Sequence, residues 1–231
     1  MTLGLEVLCS IQLSYQGTLM VRVRRVELLL PIWKNGVLAV IRHPRSIDYT
    51  KVMQITLVTG NKHKLEEWRR IMPADIVLTN HSVDLDELQS LDADAVIAHK
   101  AKQAYDQLGV PVAVEDVRCG LDELEGLPGP FIKFFVEKLG PDALYKIHNG
   151  SNRATAICTI GYYDGSSLII ARGVVHGQAV EPRGDTGFGF DCSFLPDGQT
   201  QTFGEMPQEL KDQVSHRALA LQDLVRQLRA L

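Results

Sequence analysis

Cysteine is scarce in this chain of 231 residues, and the four present, Cys9, Cys119, Cys158 and Cys192, stand far apart with no Cys-x-x-Cys pair. That spacing argues against a zinc site and requires no disulfide framework. Cys158 lies in an apolar run and reads as a core residue, and a reducing cytoplasm is the expected setting. Long apolar runs are missing as well. The most apolar stretch, residues 26–41, is interrupted by Pro31, Lys34 and Asn35 and is too short to span a bilayer. Early in the chain Glu6 stands where a secretory signal would carry basic residues. There is no large charge of either sign: the net charge is −4, with 45% hydrophobic and 23% charged residues. That balance supports a real core and points to neither nucleic acid nor an anionic membrane as partner.

The charge is unevenly placed. Residues 1–52 carry seven Lys and Arg against three Asp and Glu, and residues 53–231 carry 17 against 25. A pocket for an anion inside so acidic a body needs local lysines and a metal rather than the overall field. The first segment, 1–52, reads as a β-rich extension, with strands at 11–15, 19–23 and 26–32 and an Asn35-Gly36 hairpin signal before 37–41. It stands open as an extension packed on the body, a remnant of another domain, or sequence upstream of a translation start at Met53. No function is assigned to it.

From Met53 the pattern alternates strand and helix. A strand at 54–58 leads into a helix over 62–72 with Leu65, Trp68 and Met72 on one face. A strand over 75–78 and an acidic loop at 84–88 come next, then a long helix over 93–108 stopped by Gly109. An apolar strand, 111–115, is expected to end at the pair Glu115-Asp116. Helices over 130–139 and 141–148 are split by Gly140-Pro141, and strands over 153–163 and 167–180 are joined at Asp164-Gly165, a type I′ turn signal. A last helix begins near Ser215. The fold class is α/β with a mixed sheet, or α+β. Domain boundaries fall at 1–52 and 53–231.

Three distant segments carry the chemistry: Thr59-Gly60-Asn61-Lys62-His63-Lys64, Phe188-Gly189-Phe190-Asp191 and Ser215-His216-Arg217. The first is a Gly turn between strand and helix, which aims free backbone N–H groups and the positive end of the helix dipole at one place. Two of its lysines, Lys62 and Lys64, add charge for phosphate oxygens. Asp116 closes an apolar run, and its carboxylate suits Mg²⁺, a hard cation that uses few protein ligands. An aromatic of the second segment offers a face for a purine, and Gly189 allows close backbone approach. Gly184, Gly187 and Gly189 do not open a helix, which rejects a dinucleotide fingerprint.

Taken in order, Thr59–Lys64, Val114-Glu115-Asp116, residues 126–133 (Gly-Leu-Pro-Gly-Pro-Phe-Ile-Lys), Arg153-Ala154-Thr155-Ala156, residues 187–191, Glu205-Met206-Pro207 with Lys211, and Ser215-His216-Arg217 resemble the inosine/xanthosine triphosphate pyrophosphatase family over about residues 53–231. The resemblance implies an elongated two-lobed fold with the active cleft between the lobes, a homodimer, and Mg²⁺-dependent release of pyrophosphate from ITP, dITP and XTP. It assigns Asp116 to metal or water, with Glu115 assisting, and makes Glu87 of the acidic loop a second metal ligand; Asp86 is equally placed. Thr59, Asn61, Lys62, Lys64, Lys133 and Lys211 fall on substrate positions, with Lys62 equally well a solvated helix lysine. Phe188, Gly189, Phe190, Asp191, His216 and Arg217 fall on the base site. Arg217 donates to a 6-keto oxygen and cannot accept from an amino group, so adenine is disfavoured by ~1–3 kcal/mol.

The chain departs from that pattern at two positions. Val117 stands where Ser or Thr is usual, removing a hydroxyl for phosphate or water, and Arg118 offers charge in its place. Cys192 replaces Pro, a change confined to the local turn. Val117 keeps open a second reading, a nucleotide-binding sensor or scaffold without efficient hydrolysis. A third reading is a pyrophosphatase for other modified nucleotides, whose opening turn would be rich in Ser and Arg, unlike Thr59–Lys64.

Overall fold

The computed structural model describes the backbone of residues 10–13, 18–23 and 26–31, and residues 53–86 and 88–231 in full. The chain divides into two units, 1–54 and 55–231. In the first, β1 (Ser10–Leu13), β2 (Thr18–Val23) and β3 (Val26–Pro31) form an antiparallel three-stranded sheet in sequential order. The Asn35-Gly36 turn and the strand expected after it lie outside the described residues, as does Glu87.

The second unit alternates strand and helix. It begins within β4 (Met53–Val58) and continues through α1 (Lys62–Ile71), β5 (Ile76–His81), α2 (Ala93–Leu108), β6 (Val112–Leu121), β7 (Pro128–Gly129), α3 (Ile132–Leu139), α4 (Ala143–Ile147), β8 (Arg153–Tyr163), β9 (Leu168–Ala179), β10 (Phe194–Pro196), α5 (Gln208–Val214) and α6 (His216–Leu228). The sheet is mixed, in the order β10-β9-β8-β6-β4-β5, with the short β7 paired to β6. β4 and β6 are parallel, whereas β6, β8, β9 and β10 are antiparallel. Local sequence accounts for the helix ends. Asp92 caps α2 by accepting from the N–H groups of Asp94 and Ala95 at 3.0 and 3.2 Å, and Gly109 ends it in the left-handed region at φ +66°.

Two expectations are corrected. β6 does not stop at Glu115-Asp116 but runs on to Leu121, because β8 stays in register beside it from Val112↔Tyr163 to Leu121↔Ala154. The acidic pair therefore sits in mid-strand, with Glu115 and Asp116 on opposite faces of the sheet. The connection at Asp164-Gly165 is a loop of residues 164–167 rather than a two-residue type I′ turn. Only Gly165 has positive φ there, whereas a type I′ turn needs it at both central positions. The Asp164 carboxylate instead accepts from the N–H groups of Ser166 and Ser167 at 2.8 and 2.7 Å.

The two faces of β6 serve two hydrophobic clusters. One gathers Val114, Val112 and Val58 with Ile97, Ala101 and Ala104 of α2. The other gathers Cys119, Leu121, Ala154, Ala156, Phe194, Phe203 and Met206, with Val117 packed against it. α6 lies directly on β9, and Gly173 makes that approach possible. A Cβ there would stand 2.0 Å from the His216 carbonyl oxygen and 2.4 Å from Ala220 N. Gly173→Ala is expected to push α6 off the sheet and cost about 1–3 kcal/mol of overpacking, read from the urea midpoint. An unchanged midpoint would show that the contact does not position α6.

Candidate functional site

A cleft of about 650 Å³ is lined by residues of both clusters and falls within the ordinary range for a small-molecule site (~300–1,000 Å³). Its walls include Thr59, Asn61 and Lys64 from the first turn, Lys100 from α2 and Glu115, Asp116 and Val117 from β6. Lys133 from α3 and Phe188, Gly189 and Phe190 from the loop before β10 complete them. Lys62 is exposed outside this lining. Asp191, Lys211, His216 and Arg217 are buried and linked to the lining residues from beneath.

The turn is self-organised. Asn61 caps α1, its Oδ1 accepting from Lys64 N at 3.2 Å, and Thr59 Oγ1 accepts from Asn61 N at 3.1 Å. Both side chains thus hold the turn's shape, and the turn offers an anion the free backbone N–H groups at the start of α1.

Beneath the cleft lies a buried ionic network. Glu115 accepts from Arg217 through Nε at 2.9 Å and through the terminal NH2 nitrogen at 2.8 Å. Trp68 Nε1 donates to it at 2.7 Å and Lys64 Nζ lies 3.2 Å away. Arg217 also donates to Glu67. Lys211 bridges Glu67 and Asp191, each at 2.7 Å, and Asp191 accepts from Phe188 N at 2.7 Å. Three cations, Lys64, Lys211 and Arg217, meet three carboxylates, Glu67, Glu115 and Asp191. The network ties together α1, β6, α5, α6 and the 187–191 loop.

Burial raises the Glu115 carboxyl, but Arg217 and Lys64, with the Arg217 and Trp68 hydrogen bonds, outweigh it and hold that group well below the usual carboxylate range. Burial raises Asp191, and the Lys211 ammonium and Phe188 N–H offset this only in part. Burial, reinforced by Arg217, holds His216 neutral well below its ordinary 6.5; the ring packs against Phe190 and Phe203. Phe190 belongs to the core cluster, and Phe188 is half-buried at the cleft.

Asp116 faces the opposite side of β6. Its Oδ1 lies 3.1 Å from Lys100 Nζ, and its side chain keeps 22% exposure. Arg118, two residues on and so on the same side, has a buried Nε without a partner. Val117 packs into the core cluster, which explains how an apolar side chain is tolerated there.

Three residues of the site escaped sequence reading: Glu67, Trp68 in its polar role, and Lys100. Trp68 was legible only as part of the apolar face of α1. Its spacing from Lys64 places it, like Glu67, one turn along the helix, which is the single signal that could have joined them. Nothing local marks Lys100. A second cleft of about 540 Å³, beside Ile71, Leu221 and Val225, contains none of these residues.

A model of the Ham1 family matches residues 55–227. The inosine triphosphate pyrophosphatase of Schizosaccharomyces pombe is 38% identical over 179 residues, covering 76% of this chain and 95% of that protein. The protein of the same name from Yarrowia lipolytica is 42% identical over 177 residues, covering 74% and 94%. Among solved structures, a HAM1 protein from Coxiella burnetii superposes with a TM-score of 0.67 at 26% identity, covering 78% of this chain and all of that one.

Two outcomes test the network. Arg217→Met strands two buried carboxylates and is expected to lower stability by about 3–5 kcal/mol in urea unfolding; a loss below ~1 kcal/mol, the surface-pair range, would contradict a buried network. For His216, the unfolded chain takes up a proton below pH 6.5 that the folded chain refuses, so stability falls as pH drops below that value. His216→Phe should flatten the dependence between pH 7 and 5, and equal slopes in the two proteins would assign the acid sensitivity elsewhere.

Proposed function

Because this chain belongs to the Ham1 family, we propose that it hydrolyses deaminated purine nucleoside triphosphates, ITP, dITP and XTP, to the monophosphate and pyrophosphate. The observation that carries this reading is a single cleft holding the Asn61–Lys64 turn, the Asp116 carboxylate and the Phe188 ring. The turn suits phosphates, the Asp116 carboxylate suits the attacking water, and the Phe188 ring suits a flat base.

In this reading the free N–H groups at the start of α1, with Lys64 and Lys133, hold the phosphate chain. Water attacks the α-phosphorus, the bond to the bridging oxygen breaks, and pyrophosphate leaves. Asp116 is the group placed to orient that water and accept its proton. Glu115, saturated by four donors, acts as a positioning residue that fixes Lys64 and Arg217. Asp116 presents hard carboxylate oxygen in the cleft, which fits magnesium, an ion commonly held by one or two carboxylates plus substrate phosphates; Glu87 is the second candidate ligand. When bound, magnesium would neutralise phosphate charge and polarise the phosphoryl group.

Base choice rests on Arg217. The family resemblance assigns it this role because a guanidinium donates to a 6-keto oxygen and not to an adenine amino group. In the free protein Arg217 is buried beneath the cleft, with three of its donors on Glu115 and Glu67. A homodimer belongs to the same proposal and rests on the family resemblance, and a cytoplasmic setting belongs to it on the widely spaced cysteines. No helix among the described residues is long and apolar enough to cross a membrane. The scaffold alternative is disfavoured, since the relatives above are named as pyrophosphatases.

The test is pyrophosphate release with Mg²⁺ from ITP, XTP and dITP beside ATP and GTP. Release is expected from the first three in preference to the last two, falling ~10²–10⁴-fold in Asp116→Ala. Equal rates on ATP would reject the base selectivity, and an undiminished Asp116→Ala would remove that residue from the chemistry.

A further inference from the structure

The Phe188 ring, the flat surface on which a purine would stack, already has a neighbour. His63, the second residue of α1, is exposed, and its ring lies 5.1 Å from that of Phe188, centroid to centroid, at an interplanar angle of 17°. Lys211 Nζ and Arg217 Cζ stand 5.6 and 5.4 Å from the same centroid. Those two cations are among the most deeply buried groups of the molecule, whereas His63 is exposed. From this contrast we take the cations to lie on the interior side of the ring and His63 on the side that opens to solvent.

The spacing decides what His63 can be. A base slotted between two rings needs about 7 Å between their planes, two contact distances of ~3.5 Å. Planes cannot be farther apart than their centroids, and these centroids are 5.1 Å apart. No slot exists between His63 and Phe188. A base that stacks on the open face of Phe188 must take the place that the imidazole now holds. The imidazole is free to yield it: among the described residues its ring makes no hydrogen bond, and it sits at the exposed first turn of a helix.

We propose that His63 is an affinity-setting plug, stacked in the free protein on the face of Phe188 that the purine occupies, and displaced by the base on binding. The inference rests on the nucleotide hydrolase reading above and adds a residue to its base site. It also gives a role to a position that is otherwise one of the two unspecified places in Thr-Gly-Asn-x-x-Lys. Displacing an aromatic partner reduces base affinity by about two- to tenfold, a penalty that triphosphate contacts do not share.

The experiment is calorimetric binding of inosine monophosphate and of pyrophosphate to the full chain and to His63→Ala and His63→Phe, with KM for ITP measured in parallel. In His63→Ala, inosine monophosphate should bind about two- to tenfold tighter and KM should fall by a similar factor. His63→Phe retains a stacking ring and should show no gain. Pyrophosphate, which has no base, should change less than the monophosphate. Unchanged or weaker binding of inosine monophosphate in His63→Ala overturns the plug, the second case making His63 a wall that holds the base. Equal tightening of pyrophosphate also overturns it, because the effect would then act through the phosphate turn. If the unaltered chain hydrolyses ITP while these shifts fail, only the plug is lost. If it neither binds inosine monophosphate nor hydrolyses ITP, the proposed function fails and takes the plug with it.

Discussion

Arg217 carries a charge into the interior, 2% exposed, where water no longer solvates it, and the surrounding elements are placed by the need to meet that charge. Glu115 from mid-strand β6 and Glu67 from α1 both turn toward it, and Glu67 hands the interaction on to Lys211 and Asp191. A buried ion outside such a network would incur several kcal/mol of uncompensated desolvation. The strand, two helices and one loop that supply partners are therefore constrained relative to one another by charge as well as by packing. The cleft inherits its floor from that constraint.

This arrangement separates two neighbouring carboxylates into different tasks. Glu115 and Asp116 are adjacent in sequence, yet a strand sends them to opposite faces. Glu115 is enclosed by four donors and held ionised, which suits it to fixing Lys64 and Arg217. Asp116 meets one lysine and keeps contact with the open cleft, which suits it to water and metal. The same economy appears in the phosphate turn. Thr59 and Asn61 use their side chains to shape the backbone, so the backbone N–H groups are what remains to bind.

Much of the second unit was legible in the sequence because its signals are local. Asp92 and Gly109 mark the ends of α2, and Asn61 marks the start of α1. β6 was misjudged because its extension past Asp116 depends on β8, a partner about forty residues further along the chain. The turn at Asp164-Gly165 was misjudged because the dipeptide allows a type I′ geometry, whereas the carboxylate of Asp164 found two serine N–H groups that favour another loop. The small β7 and β10 were invisible for the same reason as the end of β6, since their pairing partners are distant.

The sequence by itself determined which residue types were available to a phosphate, a metal and a base, and the order of the segments that bring them. Such information lives in short windows, where turn chemistry, capping and apolar periodicity act between near neighbours. Only the tertiary structure decided how those residues divide the work. It set Glu67 and Lys100 against groups far away in the chain, buried His216 and Arg217 beneath the cleft rather than in its wall, and laid His63 over Phe188. The physical reason is that desolvation, ion pairing and ring stacking depend on distance in space, and these contacts join residues that the chain keeps up to 150 positions apart.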